Sequence, residues 1–242
     1  MLRAIIFDFD GIIVDSEPLI FQLTRQMAAQ EGWTITEGEY FHDYLALDDR
    51  GIVEHLYRSH GRPVDAARRD ELVSWKVRAY ADEIRDGLPP LPGAVEFVRS
   101  LAPQFPLAIA SGSLRSEIEH LLGKLGLRDA FQVVVAADDV ERSKPAPDIF
   151  LKALDALRAL PAFCAAEAGS HDVPPAPLLA RECLVIEDAP NGVRAARAAG
   201  MPCLALAHSR PLAELAHADW VSRDFAGVDM AAIIAAFHHG PC

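Results

Sequence analysis

Ala4-Ile5-Ile6-Phe7 is an apolar run broken at once by Asp8-Phe9-Asp10-Gly11. A run that short and unalternating suits a strand buried on both faces, as the strands of a parallel sheet are. The pattern recurs. Leu107-Ala108-Ile109-Ala110 stops at Ser111-Gly112-Ser113, and Val133-Val134-Val135 stops near Asp138-Asp139. Leu184-Val185-Ile186 stops at Glu187-Asp188; residues 202–207 and Trp220-Val221 are a fifth and a sixth candidate. Helical spacing lies between these runs, at 94–102, 115–125 and 148–157, with Asn191 read as the cap of a helix ending at Gly200. Strand alternating with helix predicts an α/β fold, a doubly wound parallel sheet. Such sheets bind ligands beyond the carboxyl ends of their strands, where the polar residues of this chain collect.

Residues 15–88 interrupt the alternation. Leu19, Leu23 and Met27 form one helical stripe; Ile52, Val53, Leu56 and Tyr57 form a second; Leu72, Trp75 and Ala79 form a third. Pro89, Pro90, Pro92 and Gly93 mark the return to the sheet. The expected organisation is a core of residues 1–14 and 89–242 with a small helical domain, 15–88, inserted after the first strand. Prolines and glycine interrupt 159–182, which reads as a long surface loop. Trp33, Trp75 and Trp220 read as packing residues.

Composition excludes several classes of partner. With 23 Lys and Arg against 35 Asp and Glu, the net charge of −12 offers no overall field for nucleic acid or anionic lipid. No apolar run reaches the roughly 20 residues of a membrane span. Met1-Leu2 leads straight into the first strand without a signal-peptide pattern, so the expected compartment is the cytoplasm. Cys164, Cys183, Cys203 and Cys242 form no C-x-x-C pair and read as reduced or buried thiols. Nothing in the sequence reports the oligomeric state.

The strand ends carry the chemistry. Asp8 and Asp10 are two residues apart, so a regular strand would put both on one face. Carboxylates that close repel unless a cation or a proton joins them. Glu187 and Asp188 add two more at another strand end. A carboxylate set with no histidine cluster reads as a hard oxygen site, for Mg²⁺ rather than zinc. Ser111 and the adjoining backbone N–H groups before a helix could cradle a phosphate. Lys144, held between Ser143 and Pro145, could neutralise charge on a phosphoryl group.

The segments 7–18 (FDFDGIIVDSEP), 110–113 (ASGS), 144–148 (KPAPD) and 186–192 (IEDAPNG) together resemble, in order, the motifs of the haloacid dehalogenase-like (HAD) hydrolase superfamily. Within it they are most similar to the branch of phosphoglycolate phosphatases and β-phosphoglucomutases. The resemblance implies a Rossmann-like core with the insert as a cap. It implies a Mg²⁺-dependent phosphatase of a small phosphate ester, a sugar phosphate or a phosphoglycolate-like acid. Asp8 would be the nucleophile that forms an aspartyl-phosphate. Asp10 would be the general acid and then base. Asp8, the Asp10 backbone carbonyl and Asp188 would hold the metal, with Glu187 a ligand directly or through water. Ser111, with Gly112, would hold the phosphoryl group, and Lys144 would balance its charge.

Departures from the pattern sharpen the expectation. Dehalogenases of the superfamily lack the second aspartate, so Asp10 argues against carbon–halogen chemistry. β-Phosphoglucomutases usually carry a histidine in place of Ile20 and a lysine in place of Leu114, which favours a phosphatase here. Arg50, where those mutases bind the second phosphate, and Arg115, near the site in sequence, are candidate contacts to a distal acidic group. The alternatives are a hexose-phosphate mutase, a phospho-acceptor module, and a scaffold without turnover.

Overall fold

The computed structural model describes residues 1–45, 47–163, 176–208 and 210–239. The chain divides into two compact units, Met1–Asp15 with Pro89–Cys242, and Ser16–Leu88.

The first unit is built on a six-stranded sheet. Its strands are β1 (Ala4–Phe7), β2 (Leu107–Ala110), β3 (Val133–Val135), β4 (Cys183–Glu187), β5 (Cys203–Leu206) and β6 (Trp220–Ser222). The order is β3-β2-β1-β4-β5-β6 and every pairing is parallel. β1 to β5 are wholly buried, which is why their sequences read as continuous apolar runs. The strand order reverses between β1 and β4, whose register aligns Phe7 with Ile186. At that reversal the connecting chains leave in opposite directions and open a crevice at the carboxyl end.

Side chains alternate across the sheet. Ala4, Ile6, Ala108, Ala110, Val133, Val135, Cys183 and Val185 join one core with the helices Asp148–Arg158 and Pro190–Ala198. On the other face Phe7 meets Phe97 and Phe131 edge-on, at 6.4 and 5.7 Å between centroids. Cys183 and Cys203 are buried free thiols; burial pushes the Cys183 thiol up to about 12 and Cys203 well above its ordinary value. Cys164 and Cys242 lie outside the described residues, as does the 164–175 part of the expected 159–182 loop. Trp220 stacks on Phe237.

Asn191 does not cap its helix. Pro190 takes the first helical position, so the N-cap is Ala189, and the Asn191 side chain bonds Arg194 instead.

The second unit is helical. Its long elements are α1 (Glu17–Gln30), α2 (Asp49–Ser59) and α3 (Ala66–Glu83). Met27, Ile52, Val53, Leu56, Tyr57 and Leu72 share its core, so the three sequence stripes do face one another. Trp33 packs edge-on against Tyr57, with 4.9 Å between ring centroids. The periodicity gives no sign of the π-helical turn Tyr40–Tyr44, whose Tyr40 and Tyr44 also enter this core. Within this unit Lys76 is buried, and its ammonium lies 2.5 Å from Asp49 Oδ1.

Candidate active site

β1 delivers Asp8 and β4 delivers Glu187, each on the strand face that carries the helix Asp148–Arg158. The Asp8 backbone N–H donates to the Ile186 carbonyl at 2.9 Å, so the ladder runs up to the site itself. Lys144 comes from the turn after β3, through a cis bond to Pro145. Its ammonium lies 2.9 Å from Asp8 Oδ1 and 2.7 Å from Glu187 Oε1, and 5.1 Å from the Phe150 ring centroid. Glu187 is fully buried and spends its other oxygen on the backbone: Asp188 N–H and Ala189 N–H each donate to Oε2 at 3.0 Å.

Asp8, Glu187 and Asp188 form a buried group whose candidate ligand oxygens all lie within 4.8 Å of one another. Burial pushes the Asp8 carboxyl well above its ordinary range; Glu187 and Asp188 add to this and Lys144 opposes it. For Lys144, burial works against charge, but Asp8 and Glu187 outweigh it and hold the ammonium above its usual value. One ammonium therefore contacts two of three clustered carboxylates, an arrangement stabilised by a further cation or by a proton. The donor set is all oxygen, and it fits a hard divalent ion.

Two glycines make the packing feasible. A Cβ on Gly11, whose φ is +71°, would sit 2.1 Å from Asp188 Oδ2. A Cβ on Gly192 would sit 1.7 Å from Glu187 Oε1. The turn after β1 and the first turn of the helix Pro190–Ala198 carry glycine where the carboxylates occupy the side-chain space.

The two aspartates of the first motif have different partners, Lys144 for Asp8 and Ser113 for Asp10. β1 ends at Phe7, and the Phe9 carbonyl accepts from the N–H groups of Ile12, Ile13 and Val14. This turn takes the chain off the strand beyond Asp10, which itself forms an isolated bridge with Val14. The Ser113 hydroxyl donates to Asp10 Oδ2. Ser113 in turn donates its backbone N–H to Ser111 Oγ at 3.1 Å. Ser111, Gly112 and Ser113 thus form one turn at the end of β2, with Ser111 buried and Gly112 exposed.

Arg115 opens the helix Arg115–Leu125, with its guanidinium on the Val134 carbonyl at 2.8 Å and on Asp139 Oδ2 at 2.5 Å. It braces that helix against β3. Arg50 is an exposed residue in the first turn of α2, in the helical unit.

Sequence reasoning left out Ser113 and His208. His208 follows β5 and brings Nε2 to 3.6 Å from Asp188 Oδ2. Burial lowers the basicity of this ring, but Asp188 and the Gly11 carbonyl outweigh it and hold His208 above its usual value. The signal available for it was its place immediately after the apolar run 202–207.

The haloacid dehalogenase-like hydrolase family model matches residues 2–200. The chain belongs to this family. It is a hydrolase, and its named relatives include phosphatases. Fructose-1-phosphate phosphatase YqaB of Escherichia coli K12 is 35% identical over 206 residues, 82% of this chain and 93% of its own length. Hexitol phosphatase B of the same strain is 31% identical over 201 residues, covering 83% of this chain and 81% of its own. A crystal structure of β-phosphoglucomutase from Clostridium difficile superposes with a TM-score of 0.78 at 19% identity, covering 99% of this chain and 98% of that one. That likeness supports the fold, a doubly wound sheet carrying an inserted helical cap. Among the described residues no helix is long and apolar enough to cross a membrane.

Proposed function

We propose that this hydrolase is a Mg²⁺-dependent phosphatase of small phosphorylated sugars or related acids, working through an aspartyl-phosphate on Asp8. The carrying observation is the buried group of Asp8, Glu187 and Asp188 around a single lysine, at the reversal point of the sheet. The names of the relatives, acting on fructose 1-phosphate and hexitol phosphates, point to a phosphorylated carbohydrate.

Asp8 attacks phosphorus; its oxygen–phosphorus bond forms as the ester oxygen–phosphorus bond breaks. Asp10, held by Ser113, gives its proton to the departing alcohol oxygen. Water then attacks the same phosphorus, Asp10 takes the proton from that water, and phosphate leaves with Asp8 restored. Ser111 and the backbone around Gly112 hold the phosphoryl oxygens, and Lys144 fixes the orientation of Asp8 and offsets charge. Mg²⁺ would be held by Asp8, Asp188 and the Asp10 backbone carbonyl, and would neutralise phosphoryl charge. Both oxygens of Glu187 are engaged, which suits contact with the metal through water and the role of anchoring Lys144.

The test is phosphate release from fructose 1-phosphate, hexitol phosphates and phosphoglycolate, with Mg²⁺, with a chelator, and with Asp8→Asn. Release that needs both the metal and Asp8 is the expected result. Isomerised sugar phosphate without release would replace this reading by the mutase. Release that persists undiminished in Asp8→Asn would remove Asp8 from the mechanism.

A further inference from the structure

His208 has no role in the chemistry above, yet its surroundings are specific. It sits at the end of β5, next to the strand that ends in Glu187. Its Nε2 is shut off from solvent and lacks a hydrogen-bond partner. The acceptor that faces it is Asp188 Oδ2, at 3.6 Å. The ring also meets the Gly11 carbonyl, on the turn that follows β1. Gly11 lies against the same Asp188 oxygen, so closely that a Cβ there would stand 2.1 Å from it. Asp188 Oδ2 therefore lies close both to the bare Gly11 backbone and to the His208 ring. The ring spans the loops after β1 and β4, the two that supply the carboxylate cluster.

We propose that His208 is a positioning residue for the cation site: it holds the Asp188 carboxylate in register with Asp8 and Glu187, so that the cluster is organised before a divalent ion arrives. It touches neither the substrate nor the ion. The inference rests on the reading of Asp188 as a ligand. The physical basis is that a ligating carboxylate left to rotate must be ordered when the ion binds, whereas one already faced from outside by a buried ring nitrogen, here at 3.6 Å, is restrained beforehand. A cationic imidazolium merely parked beside the cluster would act in the opposite sense. It would compete with the ion, and its removal would tighten binding.

The test is Mn²⁺ binding to the full chain, followed by paramagnetic resonance of the free ion, in the absence of substrate. The variants are His208→Ala, His208→Leu, which refills the volume of the ring, and His208→Gln, whose amide can donate from a position near that of Nε2. Asp188→Asn is the control. Ala and Leu are expected to weaken Mn²⁺ binding by roughly ten- to a hundredfold, the usual effect of removing such a partner. Gln is expected to recover most of the loss. In turnover assays the deficit of His208→Leu should fall in the Mg²⁺ requirement and close at saturating Mg²⁺, with the Michaelis constant for phosphate ester unchanged. Unaltered or tighter Mn²⁺ binding in folded Ala or Leu variants would overturn the proposal, as would a Gln variant no better than Leu. If Asp188→Asn binds Mn²⁺ as the parent does, the fault lies instead with the assignment of Asp188 to the metal.

Discussion

Among the described residues two lysines are withdrawn from solvent, one in each unit, and they keep different company. Lys76 of the helical unit faces Asp49 at 2.5 Å, one positive charge to one negative. Lys144 of the sheet unit faces Asp8 and Glu187 at 2.9 and 2.7 Å, with Asp188 completing the buried group. The first pair is balanced within itself and asks for nothing more. The second sets three buried carboxylates against one ammonium, with the His208 ring beside Asp188. A buried ion pair alone is weak evidence of function, because folded proteins use such pairs structurally. A buried imbalance, held in place by glycines that admit the carboxylates, is stronger evidence, since it costs stability unless a ligand or proton completes it.

The comparison breaks most visibly at Lys144. Lys144→Ala should cut turnover roughly a hundred- to a thousandfold, the range for removing one placed charge-stabilising donor. The same variant should bind Mg²⁺ more tightly, because a competing positive charge is gone. A variant with unchanged turnover, or with weaker metal binding, would show that Lys144 is another Lys76.

Gly192→Ala sharpens the point about packing. The new methyl would collide with the Glu187 carboxylate, 1.7 Å away, and force that side chain off its contacts with Lys144 and the backbone. Overpacking of this kind costs about 1–3 kcal/mol, to be read from chemical denaturation, and metal affinity should fall with it. Full stability together with full metal affinity would mean that the Glu187 position is not needed.

The smallest effect belongs to the helical unit. Lys76→Met should cost about 1–2 kcal/mol of unfolding free energy, below the range for a fully buried pair because Asp49 is 36% exposed. Mg²⁺ affinity should stay at the parent value. A shift in metal affinity there would contradict the contrast between the two lysines.

Much of the sheet and part of the site were legible in the sequence, for physical reasons. Buried parallel strands must be apolar throughout, so β1, β2 and β3 announced their bounds, and the residues ending them fell at the carboxyl ends where such sheets bind ligands. Asp8, Glu187 and Asp188 were read that way, and Lys144 from its proline-fixed turn. What periodicity could not convey was the course of the backbone after a strand stops. Nothing in the apolar pattern announced that the Phe9 carbonyl gathers three N–H groups and turns the chain beyond Asp10. His208 and Ser113 were given no role because a polar residue after an apolar run has no partner visible in sequence. Their partners, Asp188 and Asp10, lie on other strands' loops.

The account stands most directly on a calorimetric titration of Mg²⁺ into the parent protein and Asp188→Asn across a range of pH. Metal ligands must be deprotonated, and burial among Glu187 and Asp188 raises the Asp8 carboxyl, so protons compete with the ion there. Affinity should therefore be greatest above the raised Asp8 value and fall as pH descends through it, with proton release on binding in that window. Asp188→Asn should bind far more weakly at every pH. One binding site with that pH course and that dependence on Asp188 is the predicted result; no binding, or binding indifferent to both pH and Asp188, would contradict the claim that this buried imbalance exists to hold a cation.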